Sequence, residues 1–250
     1  MKKICILFLS LAALYAQSQT IYYAAAKTGI SLREAPNPNA KVLEKITYGE
    51  KLITQADTLA PKSIVTEGFN GFWWKVTYNN KIGYVVSNYL LTVAPPKAGI
   101  KTLKEYFAQL LSAAGNPLVL KKTDEALHEM GESTLTKQFF KNGMEWHEAQ
   151  GYEYGSEVYI LPGFSIEQSF LLLRILNQFP DLIGEKDIFP NKKTTLSLTG
   201  GEKTTEVEKD IDGPPGAIKK IKIYSTQGAF TEFEIFMLDN QAVIYRNSGA

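Results

Sequence analysis

Residues 71–90 read GFWWKVTYNNKIGYVVSNYL, and this stretch decides the fold of the N-terminal part of the chain. It consists of two β-like runs on either side of Asn79-Asn80, and asparagine tolerates the positive φ that a two-residue hairpin turn requires. Alternation along the first run places Phe72, Trp74, Val76 and Tyr78 on one face and Trp73 on the other. The pattern predicts a β-hairpin in which Trp73 is the outward aromatic residue.

Two shorter stretches precede this hairpin, ISLREAP at residues 30–36 and TYGEKLI at residues 47–53. In order and spacing, the three stretches resemble the bacterial SH3 (SH3b) family, whose pattern is L-N-V-R-x-x-P, a Gly-centred turn, G-x-W-Y-K-V and G-W-V-x-x-x-Y-L. The resemblance covers residues 22–92 and implies a small, bent, five-stranded β-barrel. The chain departs from the pattern at Ala35, at Tyr84 and in a long segment from Gln55 to Asn70, which is where its binding properties can differ.

The Trp73-Trp74 pair and the Ser87-Asn88-Tyr89 segment also resemble eukaryotic SH3 domains, in which a tandem Trp and an S-N-Y segment border a groove for proline-rich peptides. The resemblance implies that Trp73 and Tyr89 are groove residues. Val86 stands where that groove has proline, and no acidic loop that would pair with an arginine of such peptides is found. The alternative for Trp73 is packing beneath the long segment or against the rest of the chain, and core packing is favoured for Trp74.

The chain begins with Met1-Lys2-Lys3, followed by an apolar run from Ile4 to Leu14 and by small and polar residues. This is the plan of a secretory signal peptide over residues 1–18, and cleavage after Ala16 or after Ser18 satisfies the small-residue rule equally well. The apolar run is too short to cross a bilayer, which takes roughly 20 residues. We therefore expect a periplasmic or extracellular protein with no membrane span in its mature form.

Charge and cysteine content argue against two classes of function, nucleic-acid binding and catalysis by a cysteine nucleophile. The 27 basic and 26 acidic residues are spread along the chain, so neither half carries the basic stripe that nucleic-acid binding requires. The single cysteine, Cys5, lies inside the predicted signal and comes too early for a lipoprotein anchor. The mature chain is therefore expected to lack both disulfides and a thiol nucleophile.

Pro95-Pro96 marks a predicted boundary, with a linker over residues 93–99 between the SH3-like region and a second domain at residues 100–250. Thr102 and Glu105 fit a capping box that opens a helix ending near Gly115. Ser165 and Gln168 open a second helix that runs to about Phe179.

Strand-like runs occupy residues 117–120, 135–140 and 155–160, with a short helix expected near residues 124–130. From Thr194 onward, about five sequential strands are separated by turn residues and predict an antiparallel sheet. Its isoleucines alternate with lysines, so one face should be buried under the two helices. The fold class predicted for the whole chain is mainly β plus α+β.

Candidate catalytic groups are sparse. His128 and His147 are the only histidines, and catalytic zinc sites usually use three protein ligands, so no metal or other cofactor is expected. Residues 163–167, GFSIE, echo the G-x-S-x-G elbow without its last glycine, and helix capping already accounts for Ser165. Carboxylate pairs for hydrolysis can be chosen from an acid-rich segment in several ways, and the choices are Glu145, Glu148, Glu153 and Glu157.

These features favour a non-catalytic exported binding protein, in which the SH3-like module docks on peptidoglycan peptide or on an envelope protein. One alternative is a cell-envelope hydrolase that uses acidic residues of the second domain. Convergence of Glu145, His147 and Glu153 in a cleft would favour it. A structural assembly subunit is a further alternative, which a stable oligomer would favour.

Overall fold

The structure, a computed structural model, describes residues 20–55, 61–123, 132–213, 216–226 and 230–249. The predicted signal peptide and the short helix expected near residues 124–130, with His128, lie outside these ranges. Within them the chain is mainly β, with two antiparallel sheets and two α-helices. In the same ranges, no helix has the length and apolar character needed to cross a membrane.

The N-terminal sheet contains the strands of the SH3-like region. They are β1 (Ile21–Ala24), β2 (Ile30–Arg33), β3 (Val42–Ile46), β4 (Lys51–Thr54), β5 (Ser63–Thr66), β6 (Phe69–Tyr78), β7 (Lys81–Val86) and β8 (Leu90–Leu91). Their order is β3-β2-β7-β6-β4-β1-β8, and β5 pairs with the start of β6. Among the residues that the structure describes, this is an open path with β3 and β8 at its ends, and its hydrogen bonds do not include the closure that the predicted barrel implies.

Two tight turns shape this sheet. Asn79 and Asn80 have φ of 48° and 60° and join β6 to β7, so the hairpin predicted at this position is confirmed. A second hairpin, β5–β6, lies in the segment that the sequence predicted as a long loop. Its turn residues, Glu67 and Gly68, also have positive φ, of 51° and 82°.

Strand β6 changes its buried face midway along its length. In its first half Phe69, Gly71 and Trp73 are buried and Phe72 is 47% exposed. In its second half Val76 is buried in the core of the N-terminal sheet, and Trp74 and Tyr78 pack against that core. The prediction that Trp73 points outward is therefore wrong, because the first half of β6 packs toward the C-terminal part of the chain.

The C-terminal sheet has two antiparallel halves. The first contains β9 (Leu118–Thr123), β10 (Glu132–Phe139), β11 (Glu145–Gly151) and β12 (Tyr154–Pro162), and the second contains β13 (Thr194–Leu198), β14 (Gly201–Lys209), β15 (Ile218–Ser225), β16 (Phe230–Leu238) and β17 (Gln241–Gly249). The five sequential strands predicted after Thr194 are confirmed. The halves join where β12 pairs with β17, with Ile160 opposite Val243.

Two helices lie against one face of this sheet, α1 (Leu103–Leu110) and α2 (Ile166–Leu176). Both predicted capping boxes are present, at Thr102 and at Ser165. Each helix ends earlier than predicted. After α1 the backbone is extended at Leu111 and reaches the bridge between Ala113 and Phe140, and α2 ends at Asn177 in the left-handed conformation that asparagine tolerates.

One hydrophobic cluster contains residues of both sheets. Phe69 of β6 stacks on Phe189 with ring centroids 4.8 Å apart and meets Phe170 of α2 edge-on at 6.0 Å. Residues 94–96, which follow the N-terminal sheet, are held by hydrogen bonds from both parts of the chain. Tyr106 of α1 donates one to the Ala94 carbonyl, and Tyr48, between β3 and β4, donates one to the Pro96 carbonyl. The first half of β6 is therefore packed against the helical layer of the C-terminal sheet.

Candidate functional site

A cleft of about 490 Å³ lies between the N-terminal sheet and helix α2, and we call it the α2 cleft. Its apolar lining comes from neighbouring strands and from the helix, and includes Ile30, Ile64, Trp73, Val86, Leu171 and Ile175. Its size falls within the range of ligand pockets in proteins, and its lining combines apolar walls with a few polar groups, as such pockets do.

Trp73 and Tyr89, the two groove residues predicted from the sequence, both line this cleft. Trp73 is only 5% exposed, so it forms part of the wall and does not project as an outward aromatic side chain. Tyr89 is half-buried and meets the ring of Phe69 at 6.4 Å. The fold thus brings the two predicted residues to one cleft, with Trp73 more deeply set than predicted.

Charged groups of both signs surround the cleft. The Glu67 carboxylate lies 2.8 Å from Nη2 of Arg174, whose side chain is only 12% exposed. Nε of Arg174 donates a hydrogen bond to the Glu185 carbonyl at 3.1 Å, and the Glu185 carboxylate pairs with Lys27. These two ion pairs connect the N-terminal sheet to the helical layer across the cleft.

The hydroxyl of Tyr89 is held in its neutral form. Burial, together with the nearby negative charge and hydrogen bond of Glu67, raises the pKa of Tyr89 to about 12, although the charge of Arg174 opposes the shift. The phenol therefore stays neutral throughout the physiological pH range, with its proton engaged by the Glu67 carboxylate and its oxygen able to accept a hydrogen bond.

This shift predicts a pH dependence of stability. Because the folded pKa of Tyr89 lies above the ordinary value of 10, its contribution is complete below pH 10 and is lost as pH rises toward 12. The Tyr89→Phe variant should therefore lose stability less steeply than wild type between pH 10 and 12, measured by urea unfolding. Tyr152→Phe, at a turn tyrosine that is 54% exposed, controls for loss of one phenol. Equal slopes for Tyr89→Phe and wild type would contradict the prediction.

The three residues whose convergence would favour a hydrolase do not meet. Glu145 and His147 lie on one face of β11, with the carboxylate 2.9 Å from Nε2 of the imidazole. Glu153 lies in the turn beyond the far end of the same strand, and six residues of strand span about 20 Å. Among the residues that the structure describes, no group of three or more His, Cys, Asp or Glu side chains is placed to hold a metal ion.

The other two candidate carboxylates are cross-strand neighbours, since Glu148 of β11 lies opposite Glu157 of β12. Each has a cation of its own, because Lys104 lies 2.9 Å from Glu148 and Arg246 lies 3.5 Å from Glu157. Ser165, the serine of the elbow-like GFSIE segment, accepts a hydrogen bond from the Gln168 backbone N–H at 3.2 Å. Salt bridges and helix capping thus engage these side chains.

The sequence of the N-terminal sheet matches the model of a known protein family. Residues 28–91 match the bacterial SH3 domain family model. The match confirms the resemblance inferred from the sequence, and it covers strands β2 to β8, including the hairpin β5–β6. Comparisons with curated proteins and with solved structures gave no significant match.

Most residues of the cleft were not predicted from the sequence, and three of them show why. Ile64 and Glu67 belong to the hairpin inside the bacterial SH3 match, and Arg174 belongs to α2, outside the match. Glu67-Gly68 was the available signal for a turn, because glycine readily adopts positive φ. No local signal in the sequence places Arg174 beside Glu67.

Proposed function

We propose that the chain is an exported, non-catalytic binding protein, and that the α2 cleft of its bacterial SH3 region binds the peptide part of peptidoglycan in the cell envelope. Export rests on the signal-like residues 1–18, and a role in binding is supported by the family match of residues 28–91. The single observation that carries the proposal is that Trp73 and Tyr89, separated in sequence, line the same cleft as α2.

The chemistry of the cleft suits a short peptide that carries charges of both signs. Trp73, Ile64 and Ile175 supply apolar contact, and the oxygen of the neutral Tyr89 hydroxyl can accept a hydrogen bond from a peptide N–H. The ion pair between Glu67 and Arg174 offers an acceptor and a donor within one cleft. Stem peptides of the cell wall carry free carboxylates and amines, and both can be met there.

The hydrolase alternative has less support. It requires at least a pair of acidic or basic groups that share a substrate cleft, whereas Glu145 and His147 lie at one end of β11 and Glu153 beyond the other. Glu148 and Glu157 lie side by side, but each is neutralised by its own cation. Binding without catalysis is therefore the function that the geometry supports best.

Co-sedimentation with insoluble, purified peptidoglycan tests the proposal, using residues 19–250 as one chain. Wild type should pellet with the wall material. Ile64→Gln should reduce the bound fraction at least about tenfold, because it places an unpaired amide on the apolar wall of the cleft. Val65→Gln is the matched control, since Val65 neighbours Ile64 on the same strand and is 66% exposed.

The outcomes separate the parts of the proposal. If wild type does not pellet, peptidoglycan is not the partner, and cross-linking to envelope proteins is the next measurement. If wild type, Ile64→Gln and Val65→Gln pellet equally, peptidoglycan is bound elsewhere on the surface and the α2 cleft is not the site. Circular dichroism of each variant verifies that the fold is retained.

A further inference from the structure

A second cleft, of about 440 Å³, opens on another side of Trp73, and we call it the outer cleft. Its walls are aromatic side chains and prolines contributed by separate strands and loops of the N-terminal sheet: Tyr22, Pro36, Pro61, Trp73, Trp74 and Tyr84. The rings of Tyr22 and Trp74 lie 4.8 Å apart and are tilted by 60°, so they form a corner of two aromatic faces. The outer cleft shares only Trp73 with the lining of the α2 cleft.

The backbone beneath the outer cleft is already hydrogen-bonded. The Gln55 N–H donates to the Lys75 carbonyl at 2.9 Å, and the Trp73 N–H donates to the Lys62 carbonyl at 2.9 Å. β6 is paired with β7 on one side and with β4 and β5 on the other. β6 therefore offers an extended peptide no free edge, and recognition along it has to come from side chains.

Among the residues that the structure describes, the charge of the outer cleft has one sign. Its described lining includes Lys62 and Lys75 and no acidic residue. Neither ammonium group forms an ion pair with a side chain in the described part of the chain. The amide of Gln55 donates to the Thr77 hydroxyl, which leaves the oxygen of that amide as an acceptor in the cleft.

We propose that the outer cleft binds a carboxylated sugar, with a pyranose ring stacked on the Trp74–Tyr22 corner and its carboxylate paired with Lys62 and Lys75. The faces of aromatic rings are electron-rich and attract the C–H groups of a sugar ring. The ammonium groups favour an anion, and the Gln55 oxygen accepts a hydrogen bond from a sugar hydroxyl. This site is separate from the proposed peptide site and does not rest on it.

The test uses NMR of residues 19–250 labelled with ¹⁵N, because the chain has three tryptophans whose indole N–H signals can be followed separately. Trigalacturonate should shift the signals of Trp73 and Trp74. It should leave the signal of Trp146 on β11 in place, which serves as an internal reference. Maltotriose, an uncharged sugar of similar size, should bind at least about tenfold more weakly.

A pair of double variants locates the anion. Lys62→Gln with Lys75→Gln should weaken trigalacturonate binding about tenfold or more, whereas Lys41→Gln with Lys45→Gln, at exposed lysines outside the cleft, should not. Peptide-free cell-wall glycan fragments and an alginate trimer then distinguish the two sources of such a sugar. The proposal is overturned if trigalacturonate leaves the signal of Trp74 in place, if both double variants bind it equally, or if an acidic proline-rich peptide binds more tightly than trigalacturonate.

Discussion

Replacing Gly68 by alanine should lower the free energy of unfolding by about 3 kcal/mol or more. Gly68 has a φ of 82°, and a Cβ built at this position lies 2.2 Å from the carbonyl oxygen of Phe189. That carbonyl cannot move away easily, because the Phe189 N–H donates a hydrogen bond to the Glu67 carbonyl at 2.9 Å. Urea unfolding of wild type and Gly68→Ala measures the loss directly.

Gly49→Ala is the matched control for this substitution. Gly49 has nearly the same φ, 85°, but nothing lies within 4 Å of a Cβ built there. The control therefore carries the backbone strain without the steric overlap and should cost about 1 kcal/mol. Equal losses for the two variants would mean that the β5–β6 turn is not pressed against residue 189.

Phe69→Ala should also have a large effect, a loss of about 4 kcal/mol, because it empties the centre of the contact between the two sheets. Phe69 is completely buried, and its ring meets Phe170, Phe189 and Tyr89. Removing it leaves a cavity beside α2, since the surrounding aromatic rings can close the space only in part. Thermal and urea unfolding provide two independent measurements.

Phe72→Ala is the natural comparison, because Phe72 lies on the same strand and is 47% exposed. Its truncation should cost less than about 1 kcal/mol. If Phe69→Ala were no more damaging than Phe72→Ala, β6 would not change its buried face in the way described above. A greater loss at Phe72 would reverse the assignment.

Much of the fold could be predicted because the relevant signals are local. Asn79-Asn80 fits a tight turn wherever it occurs, and Thr102 and Ser165 satisfy helix N-termini with their own neighbours. The alternation of Ile221 and Ile223 with lysines identifies the buried face of β15 without reference to any other strand. Such features depend on backbone preference and burial over a few residues.

Trp73 could not be placed correctly by the same reasoning. Period-two alternation identifies which residues share a face of β6, but not which face is buried at each point along it. The buried side depends on the hairpin β5–β6 and on Phe170 and Phe189, which are distant in sequence. The end of α1 was missed for a similar reason, because the bridge between Ala113 and Phe140 sets it.

The candidate site could be predicted in part. The tandem tryptophans and the S-N-Y segment identified Trp73 and Tyr89, and both reach the α2 cleft. The opposite wall, with Leu171 and Arg174, comes from a helix that the sequence predicted only as a cover for the second sheet. No pattern within either region shows that the two approach each other.

The pairing of β12 with β17 has a consequence for the speed of folding. Ile160 and Val243 are directly opposite each other at the middle of the sheet but about 80 residues apart in the chain, whereas the pairs within each half are hairpins. Closing so long a loop costs chain entropy before the contacts that offset it can form. The two half-sheets should therefore assemble quickly, and the pairing of β12 with β17 should follow as the slow step. In stopped-flow refolding, this step should appear as a late kinetic phase during which Val243 becomes buried.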